Sequence, residues 1–179
     1  QAAYAGLVNC LQAEWQYLCR VEPGVGQHLA PVEEALREKF IPALLGTDDP
    51  INDEFRLLLA QGVKQGGIAI RNPIEAADRL HQASTEATGL LVTSLLENTI
   101  LDNESHAGCV RQAGAAARRE RIEGGKKVVE AMSLRHGPKV KKRLDRMGET
   151  GAWLAVIPDC FSGTALSLQE WHDNLTLRY

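Results

Sequence analysis

The apolar positions of this chain recur mostly at three- and four-residue steps, which is the repeat of an amphipathic helix. Such helical runs cover residues 2–21, 29–45, 53–61, 73–98, 108–134, 139–147 and 167–179. Only 5% of the residues are aromatic, so the core is expected to consist of Leu, Ala, Val and Ile. This composition favours packed helices over a sheet sandwich. The pattern therefore predicts a mainly α fold, a helical bundle of about six or seven helices.

Two features predict interruptions inside these runs. Pro42 lies within the second run, so a kink or an early end is expected near Phe40. Gly124 and Gly125 are adjacent in the long polar run, and two glycines cost roughly 1–2 kcal/mol inside a helix. We therefore expect a kink or a break at residues 124–125.

Other signals predict where helices start and which sides are buried. Asn72 followed by Pro73 is typical of an N-cap with proline at the first helical position. Ser167 and Glu170 have the spacing of a capping box. The helical repeat predicts that the buried side of 73–98 contains Ile74, Ala77, Leu80, Ala83, Ser84, Ala87, Leu91, Val92 and Leu95.

The stretch "VKQGGIAIRNP", residues 63–73, breaks the helical pattern most sharply. Gly66 and Gly67 predict a turn, and the β-branched run after them is too short for a helix. The apolar stretch "AWLAVIP" is read in the same way, as extended chain or a buried connector. Short extended segments are therefore expected near 67–71 and 152–157.

The net charge of −3 conceals a strong asymmetry along the chain. Residues 1–110 hold 7 Lys/Arg against 15 Asp/Glu, a net of −8, whereas residues 111–146 hold 12 against 4, a net of +8. The chain is accordingly divided into an acidic helical lobe, 1–102, that contains the Gly-Gly connection, and a segment 103–179 that joins the basic helices to the C-terminal helix. Charge separation of this kind suggests a polyanionic partner.

The basic residues have a spacing that places them on shared helix sides. Arg111 and Arg118 are seven apart, and Arg119 and Lys126 repeat this step. A surface of this kind binds phosphates electrostatically and without base specificity. The expected nucleic-acid-binding residues are Arg111, Arg118, Arg119, Arg121, Lys126, Lys127, Lys139, Lys141, Lys142 and Arg143. The alternative is a solvated helix that is balanced by its own glutamates.

No catalytic, metal or cofactor motif is found. His106 and Cys109 share a helix side, but no second pair at a usable spacing follows. The acidic pair Asp48 and Asp49 is expected to be solvated loop charge, and neither glycine pair fits a phosphate-binding loop. The four cysteines form no Cys-x-x-Cys motif, which indicates a reducing compartment. The expectation is thus an intracellular protein, nuclear or cytoplasmic, without a membrane span, a metal or a cofactor.

Three blocks of the chain resemble reverse transcriptases of LINE-type, non-LTR retroelements. "LLLAQGVKQGGIAIRNP" is similar to a segment beyond the palm of these enzymes with the pattern Gly-Gly-Leu-Gly-Ile, although Ala69 stands where the pattern has its last glycine. "LAPVEEALREKFIPALLG" resembles the helix before it, and "GAWLAVIPDCFSGTALSLQEWHDNLTLRY" a later Trp-Leu block that ends in Leu-Arg-Tyr. The blocks occur in family order over most of 29–179, and the middle, 103–147, matches only in being basic and helical.

The resemblance implies a thumb or connection region that follows a polymerase palm and grips template–primer nucleic acid. The Tyr/Phe-x-Asp-Asp motif of the family is absent from this chain, so no catalytic residue is carried over. The chain starts at Gln1 without a methionine or a leader, and is expected to be a piece of a longer polypeptide, or a processed or partly built chain. The two other interpretations are a helical protein-interaction or scaffold module and a stand-alone enzyme.

Overall fold

Seven helices and three short 3-10 turns make up the chain in a computed structural model, which describes all residues 1–179. Helix α1 covers 2–21 and contains a π-helical turn at Leu7–Leu11. Helix α2 covers 30–45, and α3 is Asp53–Ala60. The remaining helices are α4, Pro73–Glu97; α5, Asn103–His136; α6, Pro138–Thr150; and α7, Leu168–Arg178. The prediction of a mainly α fold with six or seven helices is confirmed.

Helix ends that depend on local side chains occur where the sequence predicts them. The Asn72 side chain accepts hydrogen bonds from the backbone N–H groups of Ile74 and Glu75, with Pro73 at the first helical position. Ser167 and Glu170 form the complete capping box at the start of α7. Each cap satisfies N–H groups that the helix itself leaves free, so these starts are set within a few residues of sequence.

Of the two outcomes expected from Pro42, the early end of α2 does not occur, whereas the helix geometry does change in the turn that ends at Phe40. The helix continues to Leu45 and stops at Gly46, whose φ is 69°. The turn before the proline, Leu36–Phe40, is a π-helix. Because a π-turn shifts the hydrogen-bond register, the missing N–H of Pro42 is tolerated inside a continuous helix.

The expected break at 124–125 is also absent, since α5 is continuous through both glycines. Gly125 is buried, and a Cβ atom there would lie 3.0 Å from Gln61 Oε1 and 3.1 Å from Gln65 Cγ. The glycine therefore allows the loop 61–65 to approach α5 closely. Glycine is needed at this position for steric reasons, whereas the sequence predicts a kink or a break in the helix there.

Neither short segment is simply extended. Residues 151–155 form a 3-10 turn, and Val156 directly after it has extended backbone. Ile68 and Ile70 are non-helical and fully buried, but Ala69 between them has a φ of 56° in the left-handed region. The structure contains no β-strand. The first stretch is a buried connector, whereas the second is mostly exposed: Leu154 is buried, but Val156 is 41% and Ile157 69% exposed.

The connection at Gly66–Ile70, which we call the hub, lies at the centre of the packed body. Each of its five consecutive carbonyl oxygens accepts a hydrogen bond from a distant side chain. In order along the hub, the donors are Tyr179 Oη, Arg178 Nη2, Tyr4 Oη, Gln12 Nε2 and Arg56 Nη1, at 2.9, 3.1, 2.9, 3.0 and 2.8 Å. These side chains come from α1, α3 and the end of α7, so the hub joins both ends of the chain.

The main core surrounds the hub and draws on both segments of the sequence. It contains Leu7, Leu36 and Leu59 from the first segment together with Trp171 and Leu175 from α7. The indole N–H of Trp171 donates to the carbonyl oxygen of Leu44 at 3.1 Å. The division at residue 102 thus marks a change of charge along the chain, while residues on both sides of it share one core.

Helices α4 and α5 form a long hairpin that extends from this body. Their lengths are about 37 and 51 Å at 1.5 Å per residue. The first turns of α4 pack on α1, and the second half of α5 packs on α3 and α6. No residue of 88–112, the outer hairpin, is buried. Of the nine residues predicted for the buried side of α4, only Ala77 is buried, and Ile74, Val92 and Leu95 are 39%, 48% and 73% exposed. In its outer half, α4 has only one other helix beside it.

Candidate nucleic-acid interface

All ten residues expected to bind nucleic acid are exposed on two consecutive helices. Six lie on α5 and four on α6, and none takes part in an ion pair. The residues on α5 are Arg111, Arg118, Arg119, Arg121, Lys126 and Lys127; those on α6 are Lys139, Lys141, Lys142 and Arg143. The cations are therefore available to a ligand.

The residues on α5 do not all face the same way. At 100° per residue, Arg111, Arg118, Arg119 and Lys126 fall within an arc of about 100°, which we call the α5 face. Arg121 lies to one side of this arc, toward α4, and Lys127 to the other. The four residues share this face because α5 is continuous through all of them, as the seven-residue spacing requires, but Arg111 lies on the outer hairpin, away from the body.

Helices α5 and α6 enclose a groove of about 1080 Å³. Lys126 from α5, Lys141 from α6 and Lys64 from the loop after α3 line it, together with Glu130, Asp145 and Glu149. This groove brings together two of the predicted residues and adds Lys64. Its charge is mixed, since it contains three cations and three carboxylates.

A second concave region lies between α4 and α5, and it is more strongly cationic. Arg71, Arg79, Arg118 and Arg121, which we call the arginine cleft, line a space of about 280 Å³. Three of them, Arg71, Arg79 and Arg121, also line an adjoining space of about 180 Å³ that leads toward α3. The two spaces together form one channel along the start of the hairpin.

The charge pattern of the sequence missed Arg71 and Arg79. Both lie in the segment 1–110, whose net charge is −8, so averaging over that segment concealed them. The sequence does contain one signal for this pair of cations, which is their separation of eight residues at the start of a helix. Their proximity to Arg118 and Arg121, however, arises only because α4 packs antiparallel to α5.

Helices α3 and α4 of the acidic segment pack against α5, and charged residues of the two segments form ion pairs at one place. Glu54 on α3 is 2.8 Å from His136 Nε2 and 3.8 Å from Arg135 Nη1 at the end of α5. This contact fixes the junction of α5 and α6 against the body. It uses none of the ten predicted residues, so the cationic surface remains uncompensated by the acidic half.

The residues considered for other chemistry remain apart. His106 and Cys109 lie on α5, but the structure has no group of three or more His, Cys, Asp or Glu residues that could hold a metal ion. Asp48 and Asp49 line an open surface region that also contains Arg37 and Lys39. No helix is long and apolar enough to pass through a bilayer. The cationic helices are thus the feature with the clearest capacity for binding.

No family model, no curated protein and no solved structure matches this chain.

Proposed function

We propose that the chain is a non-catalytic helical module that grips duplex nucleic acid by its phosphate backbone. The observation that supports this most directly is the exposure of all ten predicted cations on α5 and α6 without a single ion pair. Like charges on neighbouring helices repel one another, and phosphates relieve this repulsion. Because phosphate contacts by Lys and Arg carry no base information, the module would recognise the shape of the duplex and not its sequence.

The biological setting of the proposal comes from the sequence resemblance. The module would be the thumb or connection part of an RNA-directed DNA polymerase of a retroelement, following its palm and holding the RNA/DNA template–primer. It would work in the nucleus or the cytoplasm, where such nucleic acid occurs.

The test is a charge reversal of four cations, Arg118, Arg119, Lys126 and Lys127, to glutamate. The variant should lose affinity equally for duplexes of unrelated sequence, because backbone contacts carry no base information. Wild-type affinity should fall as salt rises, and the slope of log K against log salt should decrease by about 0.9 for each lost phosphate contact. Fluorescence anisotropy with labelled RNA/DNA and DNA duplexes measures both quantities.

The control is Lys39→Glu, which reverses one exposed cation on α2 outside both basic helices. It should change the affinity little. Absence of wild-type binding at low salt, or binding that does not weaken with salt, would contradict the proposal. Nucleotidyl transfer or hydrolysis by the isolated chain would favour the stand-alone enzyme instead.

A protein-interaction module is the second candidate, and the outer hairpin favours it. Leu95, Leu96 and Ile100 are 73%, 82% and 99% exposed there. Exposed apolar clusters of this kind mark contact surfaces more often than scattered single residues do. Chromatography on immobilised duplex separates the two candidates, since a protein-binding scaffold passes through the column unretained.

A further inference from the structure

The arginine cleft differs from the rest of the cationic surface in being concave and built from two helices. Arg71 precedes the N-cap of α4, Arg79 lies in its second turn, and Arg118 and Arg121 come from α5. The walls between them are apolar, with Ala76, Leu80 and Ala117. A cleft with low-dielectric walls concentrates the field of its charges more than an open helix surface does.

These arginines have no carboxylate partner. The four ion pairs of the structure involve Arg37, Arg56, Arg135 and His136. Glu75 and Glu120 line the channel, but neither forms an ion pair with an arginine of the cleft. The hydrogen bond of the Arg71 side chain goes to a neutral acceptor, Gln16 Oε1, at 3.0 Å.

Arg71 is the most constrained member of the cleft. Its backbone N–H donates to Gln12 Oε1 at 2.9 Å, which ties it to α1 directly after the hub. Burial lowers the pKa of its guanidinium, and the nearby charges of Arg121, Arg20 and Arg79 lower it further. A fixed and partly buried cation among other cations is an unfavourable arrangement that a bound anion would relieve.

The shape of the guanidinium group indicates which anion this is. Its planar fork of N–H donors matches the paired oxygens of a phosphate, so several arginines around one concave space favour a phosphate group. Arg118 belongs both to the cleft and to the α5 face. A strand bound along the α5 face therefore reaches the cleft without leaving the cationic surface.

We infer that the arginine cleft holds a backbone phosphate of the bound nucleic-acid strand, so that α4 and α5 grip the strand together. This inference rests on the proposed function and deepens it. It extends the binding surface to Arg71 and Arg79, which belong to the otherwise acidic part of the chain. The cleft gives the module one defined phosphate position next to a diffuse electrostatic surface.

The decisive variant is Arg79→Gln, compared with Lys39→Gln as a control of equal charge loss. Arg79 is exposed and makes no hydrogen bond or ion pair within the protein, so its replacement should leave the fold intact, as thermal unfolding by circular dichroism will verify. We expect the affinity for duplex to fall about tenfold, the effect of one charge-assisted hydrogen bond. The salt slope should fall by about 0.9, and Lys39→Gln should change neither quantity.

A second measurement uses inorganic phosphate alone and the wild-type chain. The Nε–Hε resonances of Arg71 and Arg79 should shift saturably as phosphate is added, which identifies the chemistry of the cleft independently of duplex binding. If these resonances shift but Arg79→Gln binds duplex as tightly as Lys39→Gln, the cleft takes free phosphate and the assignment to a strand is overturned. If the resonances do not respond, the phosphate assignment itself is overturned.

These experiments test the proposed function separately from the role of the cleft. Absence of duplex binding by the wild type defeats the proposed function. Wild-type binding with Arg79→Gln equal to its control defeats only the role of the cleft.

Discussion

The hub and the outer hairpin are opposite extremes within one chain. In the hub, residues 66–70, five consecutive carbonyl oxygens accept hydrogen bonds from distant side chains, and four of the five residues are buried. In the outer hairpin, residues 88–112, none is buried. The total accessible surface of 11434 Å² exceeds the roughly 8,600 Å² expected for a compact monomer of this size. The excess is consistent with a hairpin that extends beyond the packed body.

The comparison shows where the stability of this fold is concentrated. Because the hub is irregular backbone inside a core, its polar groups must find partners there, and every lost partner is costly. In the outer hairpin, the hydrogen bonds lie within the helices and their caps, and each helix packs against only one other helix. Substitutions should therefore destabilise the protein strongly in the hub and weakly in the outer hairpin.

The largest difference is expected between two glycines, Gly67 in the hub and Gly89 in the outer hairpin. A Cβ atom at position 67 would overlap the carbonyl oxygens of Leu58 and Gln61, and both oxygens are held by backbone hydrogen bonds. We expect Gly67→Ala to lower the free energy of unfolding by about 3 kcal/mol or more, at the upper end of overpacking effects. Denaturant unfolding followed by circular dichroism measures this change.

The matched control for that experiment is Gly89→Ala. No atom lies within 4 Å of a Cβ at position 89, so the substitution should stabilise the protein by about 0.5–1 kcal/mol through the better helix propensity of alanine. Equal effects at the two positions would contradict the contrast between hub and hairpin.

A smaller effect is expected from Tyr4→Phe, which removes one hub donor. The Tyr4 hydroxyl donates to the carbonyl oxygen of Ile68 at 2.9 Å, and the phenylalanine would leave this oxygen buried without that partner. We expect a loss of about 1–3 kcal/mol in the free energy of unfolding. Tyr17→Phe is the control, since Tyr17 is 62% exposed and should change stability by no more than about 0.5 kcal/mol.

The same tyrosine should make stability sensitive to alkaline pH. Burial, with a contribution from Tyr179, raises the pKa of Tyr4 from 10.0 to about 12. A raised pKa means that the folded state favours the neutral phenol, so this contribution is complete below pH 10 and is lost as pH rises through 12. Between these values, wild-type stability should fall more steeply than that of Tyr4→Phe, and denaturant midpoints at several pH values test the slope.

The local parts of the fold could be predicted from the sequence, because the interactions that determine them join residues only a few positions apart. The cap at Asn72 and the capping box at Ser167 both depend on neighbouring N–H groups. Gly125 and the hub differ in this respect. The need for glycine at position 125 depends on the close approach of Gln61 and Gln65, and the hub depends on donors such as those at the end of α7. These partners are distant in sequence, and no periodicity shows them.

The candidate site divides in the same way. The basic residues on α5 and α6 are exposed, as their charge and helical spacing indicate, and their binding of nucleic acid stays a prediction. The arginine cleft was not predicted, because Arg71 and Arg79 reach Arg121 only through the antiparallel packing of α4 and α5. The spacing of charges along a sequence predicts which residues share a side of one helix. A cleft between two helices also depends on how those helices pack, which the spacing does not show.

The smallest effect is expected at the tip of the outer hairpin, for Leu96→Gln. Leu96 is 82% exposed, so little apolar surface is removed from water when the protein folds, and the free energy of unfolding should change by no more than about 0.5 kcal/mol. Leu59, which is fully buried in the main core, gives the contrast, since Leu59→Ala should cost about 2–5 kcal/mol in the free energy of unfolding.

Thermal unfolding of Leu96→Gln at two protein concentrations sharpens the test. A loss above 1 kcal/mol for Leu96→Gln that grows with concentration would mean that the tip is covered by a second copy of the chain. The contrast between body and hairpin would then hold only for the isolated monomer.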